Sequence, residues 1–169
     1  AQTEAEMLMA VQNHIRSPRY GSPIIACKHD QITGCYLLTR DGSRFSRKEA
    51  AEILGACVLE LEEIKDSYSG KELFSYLLPK DLNITFRSAT DYDEFVVIKN
   101  GRLVKGIIDD NALGEKKGKL IDIIEKKYGG QFAKEFLNKT SRMSLHVISM
   151  KGFSISISDT DITDKAAKK

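Results

Sequence analysis

The nearest this sequence comes to a phosphate-gripping loop is Ser69-Gly70-Lys71-Glu72. A P-loop needs a glycine five positions before its second glycine and a Ser or Thr after its lysine. Those positions hold Lys65 and Glu72, and the spacing from Gly114 to Lys119 is also wrong, so neither stretch is a nucleotide loop of that type. On residue chemistry alone, Lys71 reads as a solvated lysine in the first turn of a helix. His29 stands beside Asp30 and adds a group that titrates near neutral pH, yet such a pair is more often structural than catalytic. The run Glu60-Leu61-Glu62-Glu63 is acidic but lacks the fixed geometry a divalent cation demands. Arg142 and His146 lie four apart on a helical pattern and read as an exposed face, because two basic groups make no site without a third partner. No catalytic constellation or metal site is expected in this stretch.

The elements that must position these residues are legible in part. Residues 3–13 read as a helix capped by Thr3, with Met7, Leu8 and Val11 as a core-facing stripe. From Ser17 to Arg40 the chain packs a Pro-bracketed turn, Ile24 and Ile25 entering a core, and a helix capped by Asp30 that carries Ile32, Tyr36 and Leu37. Ser46-Arg47-Lys48-Glu49 and Ser69-Gly70-Lys71-Glu72 are capping boxes, each launching an apolar helix face. Ile84 and Phe86 alternate as in a strand. The runs 95–98 and 103–108 flank Asn100-Gly101, the strongest short hairpin signal. Ser88 to Glu94 is expected to loop out, and Asp109 to Gly114 to turn the chain. Gly118-Lys119 opens a helix that Gly129-Gly130 closes, and a longer helix follows with Phe132, Phe136, Met143, Val147 and Ile148 on its apolar side. Ser154 to Ser158 alternates strictly, as a half-buried strand does. The expected fold is α+β, one domain of about five helices with a short antiparallel sheet, and no internal repeat is visible.

A length of 169 residues suits a single core, and 41% hydrophobic with 30% charged residues is ordinary for a globular protein. A net charge of +2 does not mark a nucleic-acid binder, so any basic surface must be local. Cys27, Cys35 and Cys57 form no C-x-x-C pair, which fits reduced thiols and a cytoplasmic setting. No apolar run approaches the ~20 residues that span a bilayer, and the opening residues do not read as a secretory leader. The Ala1-Gln2 start and lysine-rich finish suggest a piece of something longer, with a domain over 1–162 and a charged tail over 163–169.

Ordered motifs carry a resemblance. Ile15-Arg16-Ser17-Pro18, Gly21-Ser22-Pro23-Ile24-Ile25, Asp30 and Gly34-Cys35-Tyr36-Leu37-Leu38-Thr39-Arg40 are similar to the largest catalytic subunit of multisubunit DNA-directed RNA polymerases, in its archaeal form. The Ser69-Gly70-Lys71 turn, the Gly101-Arg102-Leu103 hairpin and Gly152-Phe153-Ser154-Ile155-Ser156-Ile157-Ser158-Asp159 continue it to about Ile162. The resemblance implies the pore region just after the aspartate loop that holds catalytic Mg2+ in the parent enzyme, so the chemistry would lie upstream and this stretch would bind no cofactor. It implies a wall of the secondary channel through which NTPs enter and backtracked RNA leaves. Its partners would be other polymerase subunits and the DNA, RNA and NTPs of the assembled enzyme, with no membrane. His29, where many relatives carry glutamine, and Lys71 would line that channel, with Arg16 and Arg19 as further phosphate-proximal residues. The absence of the glycine that relatives often carry near Ser156 or Ile157 weakens any close backbone approach to RNA there. Two other classes stay open: a free-standing RNA-binding module, which needs a contiguous basic and aromatic surface, and a non-catalytic scaffold that docks through apolar faces.

Overall fold

Helix α1 (Gln2–Met7) opens the chain in the computed structural model, which describes residues 1–89 and 94–160. It is shorter than its apolar pattern suggests, and its N-cap is Ala1, not Thr3. Downstream side chains take its last carbonyls: Asn13 Nδ2 donates to Met7 O at 2.7 Å, and His14 Nε2 lies 2.6 Å from Leu8 O. Val11–Asn13 then form a separate 3-10 turn. The expected core stripe is corrected, because Met7 and Leu8 are 66% and 67% exposed and Val11 is also exposed.

Between Ile15 and Cys27 the chain doubles back, with Arg16 bridging Pro23 and the Ile24 and Ile25 amides both donating to Ile15 O. Side chains alternate along extended backbone. Pro23 and Cys27 point inward with Ile15, while Ile24 is exposed and Ile25 half-buried. Ile15 therefore anchors this turn, not the Ile24–Ile25 pair. Helix α2 (Asp30–Thr39) starts after His29, its N-cap; Asp30 lies inside the first turn and makes no cap bond, contrary to expectation. Its inward face is Gly34, Cys35, Leu38 and Thr39, with Ile32 and Leu37 at the edge of the core.

Two strand–helix units follow: β1 (Arg44–Ser46) with α3 (Arg47–Ala56), and β2 (Ser67–Ser69) with α4 (Gly70–Ser75). The strands pair antiparallel with buried Phe45 opposite buried Tyr68. Each strand ends on a serine that caps the next helix. Ser46 N donates to Glu49 Oε2 at 2.7 Å, and Ser69 N to Glu72 Oε2 at 2.8 Å. The pattern aromatic-Ser-x-Lys-Glu thus occurs at Phe45–Glu49 and again at Tyr68–Glu72. The strand register, with Phe45 opposite Tyr68, relates the two copies by a local two-fold axis.

The backbone bonds from Ser46 and Ser69 hold both glutamate carboxyls below their ordinary range. A carboxyl whose folded pKa is depressed adds stability above its unfolded pKa and loses it as pH falls through the folded value. The urea midpoint is therefore expected to drop as pH falls below about 4. Glu72→Gln, which keeps a capping oxygen but does not titrate there, flattens that drop. A wild-type midpoint unchanged between neutral pH and about pH 3 would contradict this.

Strands β3 (Ile84–Arg87), β4 (Phe95–Lys99) and β5 (Arg102–Lys105) form an antiparallel sheet in that order. Asn100 and Gly101 join β4 to β5 with φ of 48° and 67°, as a tight two-residue turn needs. Ser88 does not loop out. It is buried, and its hydroxyl donates to Asp109 Oδ2 at 2.6 Å; residues 90–93 of the expected loop lie outside the described residues. Asp109 also accepts from Asn111 N at 3.0 Å and so caps α5 (Asp110–Leu113), a short helix where a turn was expected.

Helix α6 (Lys119–Lys151) is two helices joined at Gly129, whose φ of 83° and ψ of 167° break the helical path where the glycine pair is expected to end it. Its first half buries Leu120, Ile121 and Ile124, and its second Phe136, Met143 and Val147. Helix α2 lies across the second half, with Gln31 Nε2 donating to Ser141 Oγ at 2.6 Å. Arg142 is exposed as expected, but His146 is half-buried, and its Nε2 is buried with no partner among the described residues. The strand expected over Ser154–Ser158 is absent. Ser156 N instead bonds Asp159 Oδ2 at 2.6 Å, Ile157–Thr160 form a 3-10 turn, and Ile157 is 88% exposed. Alternation alone cannot hold a strand when no neighbouring strand takes up its backbone bonds. The expected tail over 163–169 lies outside the described residues. The fold is α+β, with six helices among the described residues, two small antiparallel sheets and one hydrophobic core.

Candidate functional site

Lys71 sits in the first turn of α4, on a ridge between two depressions. One is a groove of about 720 Å³ between α4, the Asn100-Gly101 turn and the segment over 62–69. The other is a pocket of about 140 Å³ under the loop that joins α2 to β1. Lys71 is not a solvated lysine: its side chain is 20% exposed and its Nζ lies 2.6 Å from Asp41 Oδ1. The hydrogen bond from that ammonium holds the Asp41 carboxyl below its ordinary range.

The other expected site residues lie elsewhere. Lys71 follows Gly70, which packs on the carbonyl of Leu38 at the C-terminal end of α2, whereas His29 is exposed at the N-terminal end of the same helix. Ten residues at 1.5 Å rise put them about 15 Å apart. Arg19 is exposed on the Pro-bracketed turn, its guanidinium 4.8 Å from the centre of the Tyr20 ring. Arg16 is engaged in the fold. Its Nη1 donates to Asp122 Oδ1 at 2.8 Å and to Gly21 O, and its Nε donates to Glu125 Oε2 at 3.0 Å. Its hydrogen bond to Glu125 leads the effects that raise its pKa. All three side chains are about three-quarters covered, so this network outlasts an ordinary surface ion pair. Arg16→Ala is expected to cost about 1–2 kcal/mol in urea unfolding. A cost below about 0.3 kcal/mol would show the network to be no stronger than an exposed pair.

Sequence reasoning missed Arg40 and Arg44, which line the smaller pocket with Lys71. The available signal was two arginines flanking an Asp41-Gly42 turn. Among the described residues no three His, Cys, Asp or Glu side chains converge, and the nearby carboxylates are engaged: Asp41 with Lys71, Glu63 with Lys65, and Glu72 with Lys65 and the α4 cap.

The family model for RNA polymerase Rpb1, domain 3, matches residues 14–160. The chain belongs to this family. Among curated relatives, DNA-directed RNA polymerase subunit Rpo1N of Thermococcus celer is 38% identical over 203 residues, covering 98% of this chain and 22% of the relative. Rpo1N of Methanothermobacter thermautotrophicus is 39% identical over 182 residues, covering 100% and 21%. Rpo1N of Methanococcus vannielii is 39% identical over 189 residues, with the same coverage. The chain spans about a fifth of the length of these relatives. In this Rpb1 domain 3, the polymerase-like motifs fall on the turn between Ile15 and Cys27, along α2, at the start of α4, at the β4–β5 turn and on the segment after α6. No helix among the described residues is long and apolar enough to cross a membrane.

Proposed function

We propose that the chain walls the secondary channel of an archaeal-type DNA-directed RNA polymerase in the cytoplasm, where NTPs enter and backtracked RNA leaves. One observation carries this reading: Lys71, in the Ser-Gly-Lys motif of the polymerase resemblance, is held on a ridge between two depressions by an exposed carboxylate. A compact ammonium so placed attracts phosphate without reading bases. His29, exposed at the far end of α2, and Arg19, exposed on the Pro-bracketed turn, are separate candidates for phosphate contact, while Arg16 fixes the turn that presents Arg19. Nucleotidyl transfer belongs to the assembled enzyme, where Mg2+ stabilises attacking and leaving oxygens. Other polymerase subunits and the DNA, RNA and NTPs are the partners. The exposed apolar residues at Met7, Leu8, Phe153, Ile155 and Ile157 suit a scaffold role within that assembly, as faces that dock on neighbouring parts.

Two assays test the reading. The 169-residue chain alone, given primed template, saturating NTPs and magnesium, yields no extended RNA. In a polymerase assembled with these residues, Lys71→Ala alters the rate at which backtracked RNA is cleaved and rescued, with little effect on extension from an unpaused 3′ end. Template-dependent extension by the chain alone, or unchanged backtracking kinetics in the Lys71 variant, overturns it.

A further inference from the structure

The pocket of about 140 Å³ has a lining dominated by cations. Arg40, Arg44 and Lys71 all line it, and a fourth cation, Lys105, lies close enough to help depress the Asp41 carboxyl. Among the described residues Asp41 is the only acid in its lining. Neither Arg40 nor Arg44 is in an ion pair among the described residues, so the lining places two exposed arginines beside Lys71. The Asp41 side chain is 78% exposed, reaching back from the loop to bind an ammonium that is itself only 20% exposed. The neighbouring groove differs: Glu62, Glu63 and Glu72 line it and oppose its cations. An anion is therefore drawn to the pocket rather than the groove.

The geometry points to a phosphate site: we propose that Arg40, Arg44 and Lys71 bind one phosphate group of a nucleotide or RNA strand, with Asp41 as a resident competitor. At about 140 Å³ the pocket has room for a phosphate group. Planar guanidiniums take two phosphate oxygens each, and the ammonium adds a point charge once Asp41 swings outward into solvent. A carboxylate ligand would meet the same cations with two oxygens and one charge, against three free oxygens and nearly two charges on a terminal phosphate. The choice of nucleotide or RNA as ligand rests on the channel reading, but the anion site itself is tested on the chain alone. Its failure is thus separable from a failure of the polymerase assays.

The test is an amide NMR titration of the chain with inorganic pyrophosphate at low ionic strength. Saturable shifts at Gly42, Ser43, Gly70 and Lys71 are expected. The double variant Arg40→Gln/Arg44→Gln weakens binding by about ten-fold or more, since each guanidinium supplies charge-assisted bonds. Asp41→Asn tightens binding several-fold by removing the competitor. Glu6→Gln, the same charge change on α1, leaves it unaltered. ATP and a short RNA oligonucleotide form the second arm: tighter binding by ATP assigns the site to free nucleotides, and tighter binding by RNA assigns it to a strand backbone. The proposal is overturned by an absence of saturable shifts, by equal affinity in the double variant, by Asp41→Asn binding no tighter than Glu6→Gln, or by an acidic peptide outcompeting pyrophosphate.

Discussion

Gly70→Ala is expected to destabilise the protein by about 3 kcal/mol or more, with a matching fall in the urea midpoint. Helix α4 begins directly against the carbonyl end of α2. A Cβ on Gly70 would lie 2.7 Å from the carbonyl carbon of Leu38 and closer still to its oxygen. Both atoms are main chain within a packed helix, so no side chain can swing aside. Relief requires α4 to move away from α2, which also displaces Lys71 and opens the β1–β2 pair. Gly55 supplies the contrast. It lies in α3 with nothing within 4 Å of an added Cβ, so Gly55→Ala is expected to stabilise by about 0.5–1 kcal/mol through helix propensity and the unfolded chain. Equal midpoints for the two variants would show that close packing, as opposed to residue type, does not govern this joint.

Phe136→Ala is expected to cost about 3–5 kcal/mol. Its ring is 2% exposed and meets Phe74 edge-on, with centroids 6.5 Å apart and planes at 89°. That contact ties α4 to the second half of α6, which itself carries α2. Truncation removes a large apolar volume and the ring–ring geometry together, and buried main chain on three helices cannot collapse fully into the space. Phe136→Leu retains most of the volume and is expected to lose less than half as much. The check is equilibrium unfolding of both variants. A loss below about 1 kcal/mol for the alanine variant would mean the helices re-pack freely and that Lys71 is not held by the core.

Features governed by neighbouring residues were legible in the sequence, and features governed by distant ones were not. Both capping boxes, the Asn100-Gly101 hairpin and the break at Gly129 appear as read, because each depends on a few adjacent residues. Strands β1 and β2 have three residues each, too short to show a period, and their partnership depends on Phe45 finding Tyr68. The engagement of Arg16 was invisible because its acids lie more than a hundred residues away. The apolar residues at both ends read as core or strand yet are exposed, since pattern records what a side chain favours and not whether a partner is present. The site followed the same rule. Lys71 drew notice through its motif, but Arg40 and Arg44 gained meaning only when the Gly70 amide, bonded to Ser43 O, brought the start of α4 against their loop.

The claim that these residues wall a passage for RNA is tested most directly by a photoreactive side chain placed at Lys71 in an assembled polymerase that is stalled and backtracked on RNA labelled at its 3′ end. Lys48 occupies the matching position of the two-fold-related unit, where it is exposed and paired within its own helix, and serves as the control. The account predicts transfer of label to position 71 that grows with backtracking, and none to position 48. No transfer at position 71, or equal transfer at both positions, would contradict it.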